Sequence, residues 1–370
     1  MKTLKIGILG TRGIPNYHGG FEQFAEFFSV YLQKKGHQTF VYCSNNHPYK
    51  KNTYKGVSLI HCKDPEDKIG TPGQFIYDYN CIKDARKRDF DILLQLGYTS
   101  NSIWYKLLPK RPIIITNMDG LEWKRSKYNK PVRKFLKYAE SLAIKSSDFL
   151  ISDSIGIQNY LKETYLKDSK YIPYGAFVFS NPEEEVLKQY NVKTNNYNML
   201  IARMEPENNI EVILDGVVKS GSNIPFLVVG KNDTNSFGNY LTKKYKSHKN
   251  IQFLGGVYNQ DHLNNLRYFS KLYFHGHTVG GTNPSLLEAM ASNALIVAHN
   301  NEFNGTILGK DAFYFSNSEE VHQALIKIKD KSNWKAYLEN NRNKIERTYS
   351  WDIINKSYLE FMKHTYEQNK

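Results

Sequence analysis

The sequence predicts an α/β protein made of two doubly wound domains, on three observations. Short apolar strands alternate with helices along the whole chain, the pattern of parallel sheets covered on both faces. At 370 residues the chain exceeds one ordinary domain and suits two. The alternation breaks at Ile172-Pro173-Tyr174-Gly175 and then restarts. Domains are therefore expected at 1–175 and 176–350, both Rossmann-like and facing a central cleft at the carboxyl ends of their strands. Residues 351–370 are expected to form a C-terminal helix packing back toward the first domain.

In chain order, the apolar run 4–9 is a strand ending in Gly10, and 21–34 has helical spacing. Gly36-His37 introduces a strand at 39–43; strands follow at 57–61, 92–95 and 113–116, with helical stretches over 71–88 and 101–108. Pro131 opens a basic helix whose apolar face is Val132, Phe135, Leu136, Ala139, Leu142 and Ala143, and a strand follows at 149–152. Beyond the junction, strands at 197–202, 225–230, 251–254, 272–274, 295–298 and 312–315 alternate with helices at 209–220, 236–247, 260–269 and from Pro284. Residues 319–330 and 332–349 read as helices, and Ser350-Trp351 opens the last one.

Residues 275–291 are the most informative stretch. A strand runs into Gly280-Gly281, and a helix starts at once with Asn283 as N-cap and Pro284 at the first helical position. Leu286, Leu287, Met290 and Ala291 give that helix its buried face. Bare first-turn N–H groups, a positive dipole end and two glycines make a site for an anionic group. Glu288, one turn further in, can accept hydrogen bonds from sugar hydroxyls. Phosphate and hydroxyls together suggest a nucleotide-sugar; the plain alternative is an ordinary β–α turn capped by Asn-Pro.

Three further segments carry chemistry. The first loop reads Gly7-x-x-Gly10-x-x-Gly13, not Gly-x-Gly-x-x-Gly, and the second strand ends Tyr42-Cys43-Ser44-Asn45 without a ribose-holding acid. Both argue against a dinucleotide oxidoreductase. His18, Gly19, Gly20 and Glu22 form a candidate acceptor-binding group at a helix start, with a flexible connector as the alternative. Asp119 lies just past a strand's carboxyl end, where a carboxylate can hold a substrate hydroxyl or take its proton. A turn residue before Gly120 is the other reading. Arg203, at the end of the second domain's first strand, can clamp a diphosphate and neutralise a departing nucleotide, unless Glu205 or Glu207 pairs with it.

Composition bounds the partners. No apolar run approaches the roughly 20 residues of a membrane span, and the N-terminus is too short and glycine-broken for a signal peptide. Cys43, Cys62 and Cys81 show no metal spacing, so no metal is expected, and reduced thiols suit the cytoplasm. The net charge is +14, and through Tyr174 there are 28 Lys and Arg against 16 Asp and Glu. The densest part, 124–145, holds Lys124, Arg125, Lys127, Lys130, Arg133, Lys134, Lys137 and Lys145 against Glu140 alone, once the acid at Glu122 is passed. That stretch reads as a solvated face or as a surface for anionic membrane lipid. No nucleic-acid module pattern is present, so no nucleic-acid partner is expected.

Taken together these segments resemble glycosyltransferase family 4, of GT-B architecture, over essentially the whole chain. The resemblance runs through the Gly19-Gly20 loop, Gly36-His37, Ile172-Pro173-Tyr174-Gly175, Arg203 with Pro206-Glu207, Leu254-Gly255-Gly256-Val257, Pro284–Ala291 and Tyr349-Ser350-Trp351. Gly13-Ile14-Pro15 through Glu22, with Asp119-Gly120-Leu121-Glu122-Trp123-Lys124-Arg125, further resembles bacterial rhamnosyltransferases of capsule and O-antigen assembly. The resemblance implies transfer from a nucleoside diphosphate sugar with retained configuration and no required metal. It implies Glu288 on the nucleotide ribose, Arg203 on the diphosphate, and Gly280, Gly281, Thr282, Asn283 and Ser285 around the donor. Asp119 and Arg203 are the expected catalytic pair. The acceptor would be a lipid-pyrophosphate-linked saccharide, met at the inner face of the cell membrane, and the donor dTDP-rhamnose or another hexose carried by UDP or GDP. Three positions depart from the family pattern: Gly280 stands where a Glu is usual, Asn208 where a Lys is usual, and Asp119 where a His is usual. An inactive nucleotide-sugar binder is the non-enzymatic alternative.

Overall fold

The computed structural model describes residues 2–17, 19–125, 128–233 and 235–369; His18 and Lys127, singled out above, lie outside the described residues. The chain divides into two compact units. The first takes in the described residues of 1–124, 128–174 and 351–370, and the second Arg125 and 175–350.

In the first unit, strands β1 (Lys5–Leu9), β2 (Gln38–Ser44), β3 (Thr53–Tyr54), β4 (Val57–Cys62), β5 (Ile92–Leu96), β6 (Ile113–Asn117), β7 (Phe149–Ser152) and β8 (Lys170–Tyr171) form one sheet. Its order is β3-β4-β2-β1-β5-β6-β7-β8, parallel throughout except for the short β3–β4 pair. β5 is buried along its whole length, which is why Ile92, Leu93 and Leu94 follow one another without alternation. One face of the sheet is covered by the helices Gly20–Lys34 and Trp351–Gln368. Phe24, Phe28 and Leu32 from one, and Trp351, Ile354, Tyr358 and Met362 from the other, pack with Ile6, Ile8, Val41 and Leu94. On the opposite face Tyr77, Cys81, Ile82 and Ala85 of the helix Pro72–Ala85 meet Leu9, Tyr42, Leu93 and Ile114. Strand order reverses direction between β1 and β5, so the loops after those strands diverge there.

The second unit has β9 (Asn198–Ile201), β10 (Phe226–Val229), β11 (Ile251–Gly255), β12 (Leu272–His275), β13 (Ile296–His299) and β14 (Phe313–Phe315). All pairs are parallel, in the order β11-β10-β9-β12-β13-β14, and the reversal falls between β9 and β12. Both units are thus doubly wound α/β sheets.

Several local expectations are corrected. Residues 101–108 form not an α-helix but a 3-10 helix, Ser102–Leu107, which ends before Leu108, where Pro109 disfavours α geometry. Residues 332–349 are not one helix but a 3-10 turn Lys331–Trp334, an α-helix Lys335–Lys344 and a π segment Ile345–Tyr349. Among the helices that escaped the periodicity reading are Ile155–Tyr165 and Glu302–Leu308. Their caps were the available signal: the Ser154 side chain accepts from the Ile157 N–H and that of Asn301 from the Asn304 N–H.

The basic helix runs Lys130–Ser146, with Asn129 capping the Val132 N–H. Its buried face differs from the expected one. Val132 is 37% exposed, whereas Glu140, expected among solvated charges, is 1% exposed. Among the described residues no helix is long and apolar enough to cross a membrane.

Candidate functional site

In the second unit the candidate residues follow the neighbouring strands β9 and β12, at the point where strand order reverses. Ligands of open α/β sheets bind outside the carboxyl ends of strands at such points. The two loops are stitched together. Asn209, held at φ +49°, donates through Nδ2 to the Gly276 carbonyl at 2.7 Å. Thr278 donates its N–H and its hydroxyl to the Glu207 carbonyl at 3.2 and 2.8 Å. A Cβ at Gly276 would stand 2.0 Å from the Asn208 carbonyl oxygen, so only glycine permits this approach. From the other side Asn301 and Asn304 both donate to the His277 carbonyl, at 3.0 and 3.1 Å.

On this frame Arg203 is exposed, and among the described residues no carboxylate pairs with its guanidinium. The alternative of an ion pair with Glu205 or Glu207 is therefore not realised. Asn208, where a Lys is usual, donates instead to the Arg203 carbonyl at 2.7 Å and fixes the loop that carries the arginine. Gly280 adopts φ +139° with open space where a side chain would stand, a backbone conformation that favours glycine. Thr282 is buried, and Asn283 caps the helix Pro284–Ala291 through the Ser285 N–H at 2.9 Å.

The expected bare helix N-terminus is corrected here. Pro284 has no N–H, the Asn283 side chain takes that of Ser285, and the Asn283 carbonyl takes those of Leu286 and Leu287. Among the described residues nothing accepts from the N–H groups of Gly281 and Asn283, which lie just before the helix. The dipole of the helix still favours an anion there.

Glu288 is partly exposed, and its Oε2 accepts from the Arg267 Nη2 at 2.6 Å. Arg267 is only 1% exposed. Ser285, expected to face the donor, turns its hydroxyl to Tyr273 at 2.7 Å and to Arg267 at 3.5 Å. It therefore serves the support of Glu288. Breaking a buried ion pair of this kind by removing one partner costs about 3–5 kcal/mol. His275, the last residue of β12, and His277 just beyond it stack with ring centroids 4.4 Å apart. Burial pushes the His277 imidazole down to about 3, with the Arg203 cation adding to the effect, so it is neutral near pH 7. Sequence reasoning missed Arg267 and the histidine pair. The His-x-His spacing on a strand was the signal for the latter; a helix residue paired across 21 positions leaves none.

In the first unit Glu22 is 8% exposed, and its Oε1 accepts the Arg12 N–H at 2.8 Å, tying the glycine-rich loop to the helix Gly20–Lys34. Gly19 is exposed, and the Asn16 side chain accepts its N–H at 3.1 Å; its extended backbone does not require glycine. The Gly20 carbonyl accepts from the Tyr174 hydroxyl at 2.9 Å. Asp119 sits after β6 at φ +50°, half-buried, with its N–H on the Asn117 side chain at 3.0 Å. The Asn117 amide in turn donates to the Tyr358 hydroxyl of the last helix at 2.7 Å.

Next to Asp119 stands a buried hub. Glu140 accepts from Trp123 Nε1, Lys137 Nζ and the hydroxyls of Tyr160, Tyr165 and Tyr98. The Lys137 ammonium lies 4.4, 4.5 and 5.0 Å from the ring centres of Trp123, Tyr160 and Tyr165. Lys137 is therefore withdrawn from the basic surface assigned to it by charge alone.

Residues 182–347 match the glycosyl transferases group 1 family. Residues 3–177 match a domain of unknown function, DUF1972. No curated relative matches the chain in sequence. Among solved structures, a glycosyltransferase from Rickettsia africae ESF-5 aligns over 100% of both chains at 18% identity with a TM-score of 0.76. Sucrose-phosphate synthase from Thermosynechococcus elongatus aligns over 99% of this chain and 100% of its own, at 14% identity and 0.78. Anabaena HepE, solved with UDP and glucose, aligns over 98% of this chain and 100% of its own, at 15% identity and 0.78. The fold is that of GT-B glycosyltransferases, with two Rossmann-like domains.

Proposed function

We propose that this chain is a glycosyltransferase that moves a sugar from a nucleoside diphosphate sugar to a hydroxyl of a saccharide acceptor. The group 1 match of the second unit supports this, as does the likeness to HepE, which was solved with UDP-glucose. One observation carries the reading at residue level. Where strand order reverses, Arg203, the N–H groups of Gly281 and Asn283, and a half-open Glu288 follow adjacent strands, and among the described residues neither Arg203 nor those N–H groups has a partner. Arg203 and the N–H groups of Gly281 and Asn283 suit a diphosphate; the open oxygen of Glu288 suits a hydroxyl of the nucleoside. In the reaction the acceptor oxygen bonds to the anomeric carbon, the bond to the phosphate oxygen breaks, and the nucleoside diphosphate departs with its charge met by Arg203. Configuration is retained and no metal takes part.

In the finer reading the donor is dTDP-rhamnose and the acceptor is a lipid-pyrophosphate-linked saccharide of cell-surface polysaccharide. The first unit holds that acceptor through Gly19, Gly20, Glu22 and Asp119 at a membrane surface in the cytoplasm. Transfer of another hexose from UDP or GDP is the alternative. A panel of nucleotide-sugars tests all of this by thermal stabilisation and by slow hydrolysis without acceptor. Arg203→Ala and Glu288→Ala should each weaken donor binding about tenfold to a hundredfold, the worth of a hydrogen bond to a charged group. If both variants fold and bind donor like the parent, the donor site is elsewhere. Stabilisation without turnover, even with membrane acceptor, would make the chain a nucleotide-sugar binder instead.

A further inference from the structure

We infer that Arg267 is a positioning residue that fixes the rotation of the Glu288 carboxylate, so that the site holds one hydroxyl of the nucleoside's sugar more tightly than its neighbour. The inference rests on the proposed binding of a nucleoside diphosphate by the second unit. Arg267 comes from the helix Gln260–Phe269 and lies behind Glu288: the arginine side chain is 1% exposed, the glutamate side chain 19%. The guanidinium is held in place by several partners. Nη1 donates to Asn264 Oδ1 at 3.1 Å, and Nη2 to Glu288 Oε2 at 2.6 Å and to the Ser285 hydroxyl at 3.5 Å. Ser285 is fixed in turn by the Tyr273 hydroxyl at 2.7 Å. A planar fork so anchored sets both the position and the rotation of the carboxylate it grips. Among the described residues no donor reaches Glu288 Oε1. A carboxylate with both oxygens open can take the vicinal hydroxyls of a ribose, one on each. With Oε2 turned to Arg267, Oε1 is the oxygen left open, and the hydroxyl aligned with it is held more strongly than its neighbour.

The test uses the full chain and calorimetric titration with 5-methyluridine diphosphate, its 2′-deoxy form and its 3′-deoxy form. In the parent, loss of one hydroxyl should weaken binding about tenfold or more, and loss of the other less than about threefold. In Arg267→Met the carboxylate is no longer held, and the difference between the two penalties should fall below about threefold. Arg267→Lys keeps the charge without the fork and guards against a misfolded Met variant; it should lose most of the discrimination too. Equal penalties for the two hydroxyls in the parent, or parental discrimination in either folded variant, overturns the inference. Glu288→Gln separates the two levels. If it abolishes discrimination while the Arg267 variants keep it, the donor site stands and the role of Arg267 falls. If neither these three ligands nor GDP binds the parent, the donor reading fails and takes this inference with it.

Discussion

Lys331 carries its ammonium where water scarcely reaches. It is 8% exposed and donates to the carbonyls of Tyr268 and Ser270, at the end of the helix Gln260–Phe269 where carbonyls lack helical partners. Among the described residues no carboxylate pairs with it, and burial pushes its pKa down to about 7. An unfolded lysine titrates near about 10.4. Between those values the unfolded chain binds a proton that the native chain does not, so native stability rises with pH across the window. Below about pH 7 both states are charged and the full burial penalty remains. The stability of the parent relative to Lys331→Met should therefore climb between pH 7 and 9, by roughly 1 kcal/mol per unit. Urea unfolding at three pH values reads this, and a flat difference would put the ammonium in water. At Asp119 the backbone decides which variant is informative. Its φ of +50° suits Asp and Asn but strains most other residues. Asp119→Asn thus removes the carboxylate and spares the turn. Turnover should fall about a hundredfold or more while donor affinity holds, if the carboxylate handles the acceptor hydroxyl. Parental turnover would reduce Asp119 to a turn residue.

Elements were legible where their signals are local. The Asn283 cap, Pro284 at the first helical position and the buried run of β5 follow from adjacent residues, and the structure has them. Elements whose apolar positions are few, such as Ile155–Tyr165 with only Ile157 and Leu161 buried, gave periodicity too little to work on. The support of Glu288 was illegible for another reason: Arg267 reaches it only because two helices flank β12, a juxtaposition no spacing encodes. The last helix makes a testable case of an element far from its partners in sequence. Trp351, Ile354, Tyr358, Leu359 and Met362 are buried in the core of the first unit, and Tyr358 lies 4.6 Å from Phe24 between ring centres. Burial of such side chains contributes about 1.5–3 kcal/mol each. Together that approaches the roughly 5–15 kcal/mol net stability of a whole domain. Ending the chain after Ser350 should therefore leave the first unit unfolded, with its amides exchanging freely in β1, β5 and β6. Parental protection in those strands would make the helix peripheral.

For the whole molecule, class and topology were readable because alternating strand and helix signals repeat along the entire length. Charge was readable only as a sum. Through Tyr174 the excess is 28 basic over 16 acidic residues, and beyond it 22 over 20, so the basic character belongs to the first half of the chain. The sequence cannot tell which of those cations face water, and the structure divides them. Lys137 is bound by Glu140 and three aromatic rings, whereas Lys130 and Lys134 are exposed on the same helix, beside Val132 at 37% and Tyr138 at 59% exposure. Basic residues around exposed apolar ones suit the interface of an anionic bilayer, where each contributes about 1 kcal/mol within a Debye length of roughly 8–10 Å. Lys130, Arg133 and Lys134 would then supply about 3 kcal/mol, enough for reversible docking and too little for permanent anchoring. Co-sedimentation with vesicles should require anionic lipid, weaken with salt, and drop when these three are changed to Gln. Lys137→Gln separates this from a mere count of charges. It should lower the melting temperature by opening the Glu140 hub while leaving vesicle binding close to parental. Equal sedimentation with neutral vesicles, or full binding by the triple variant, would make this helix an ordinary solvated face.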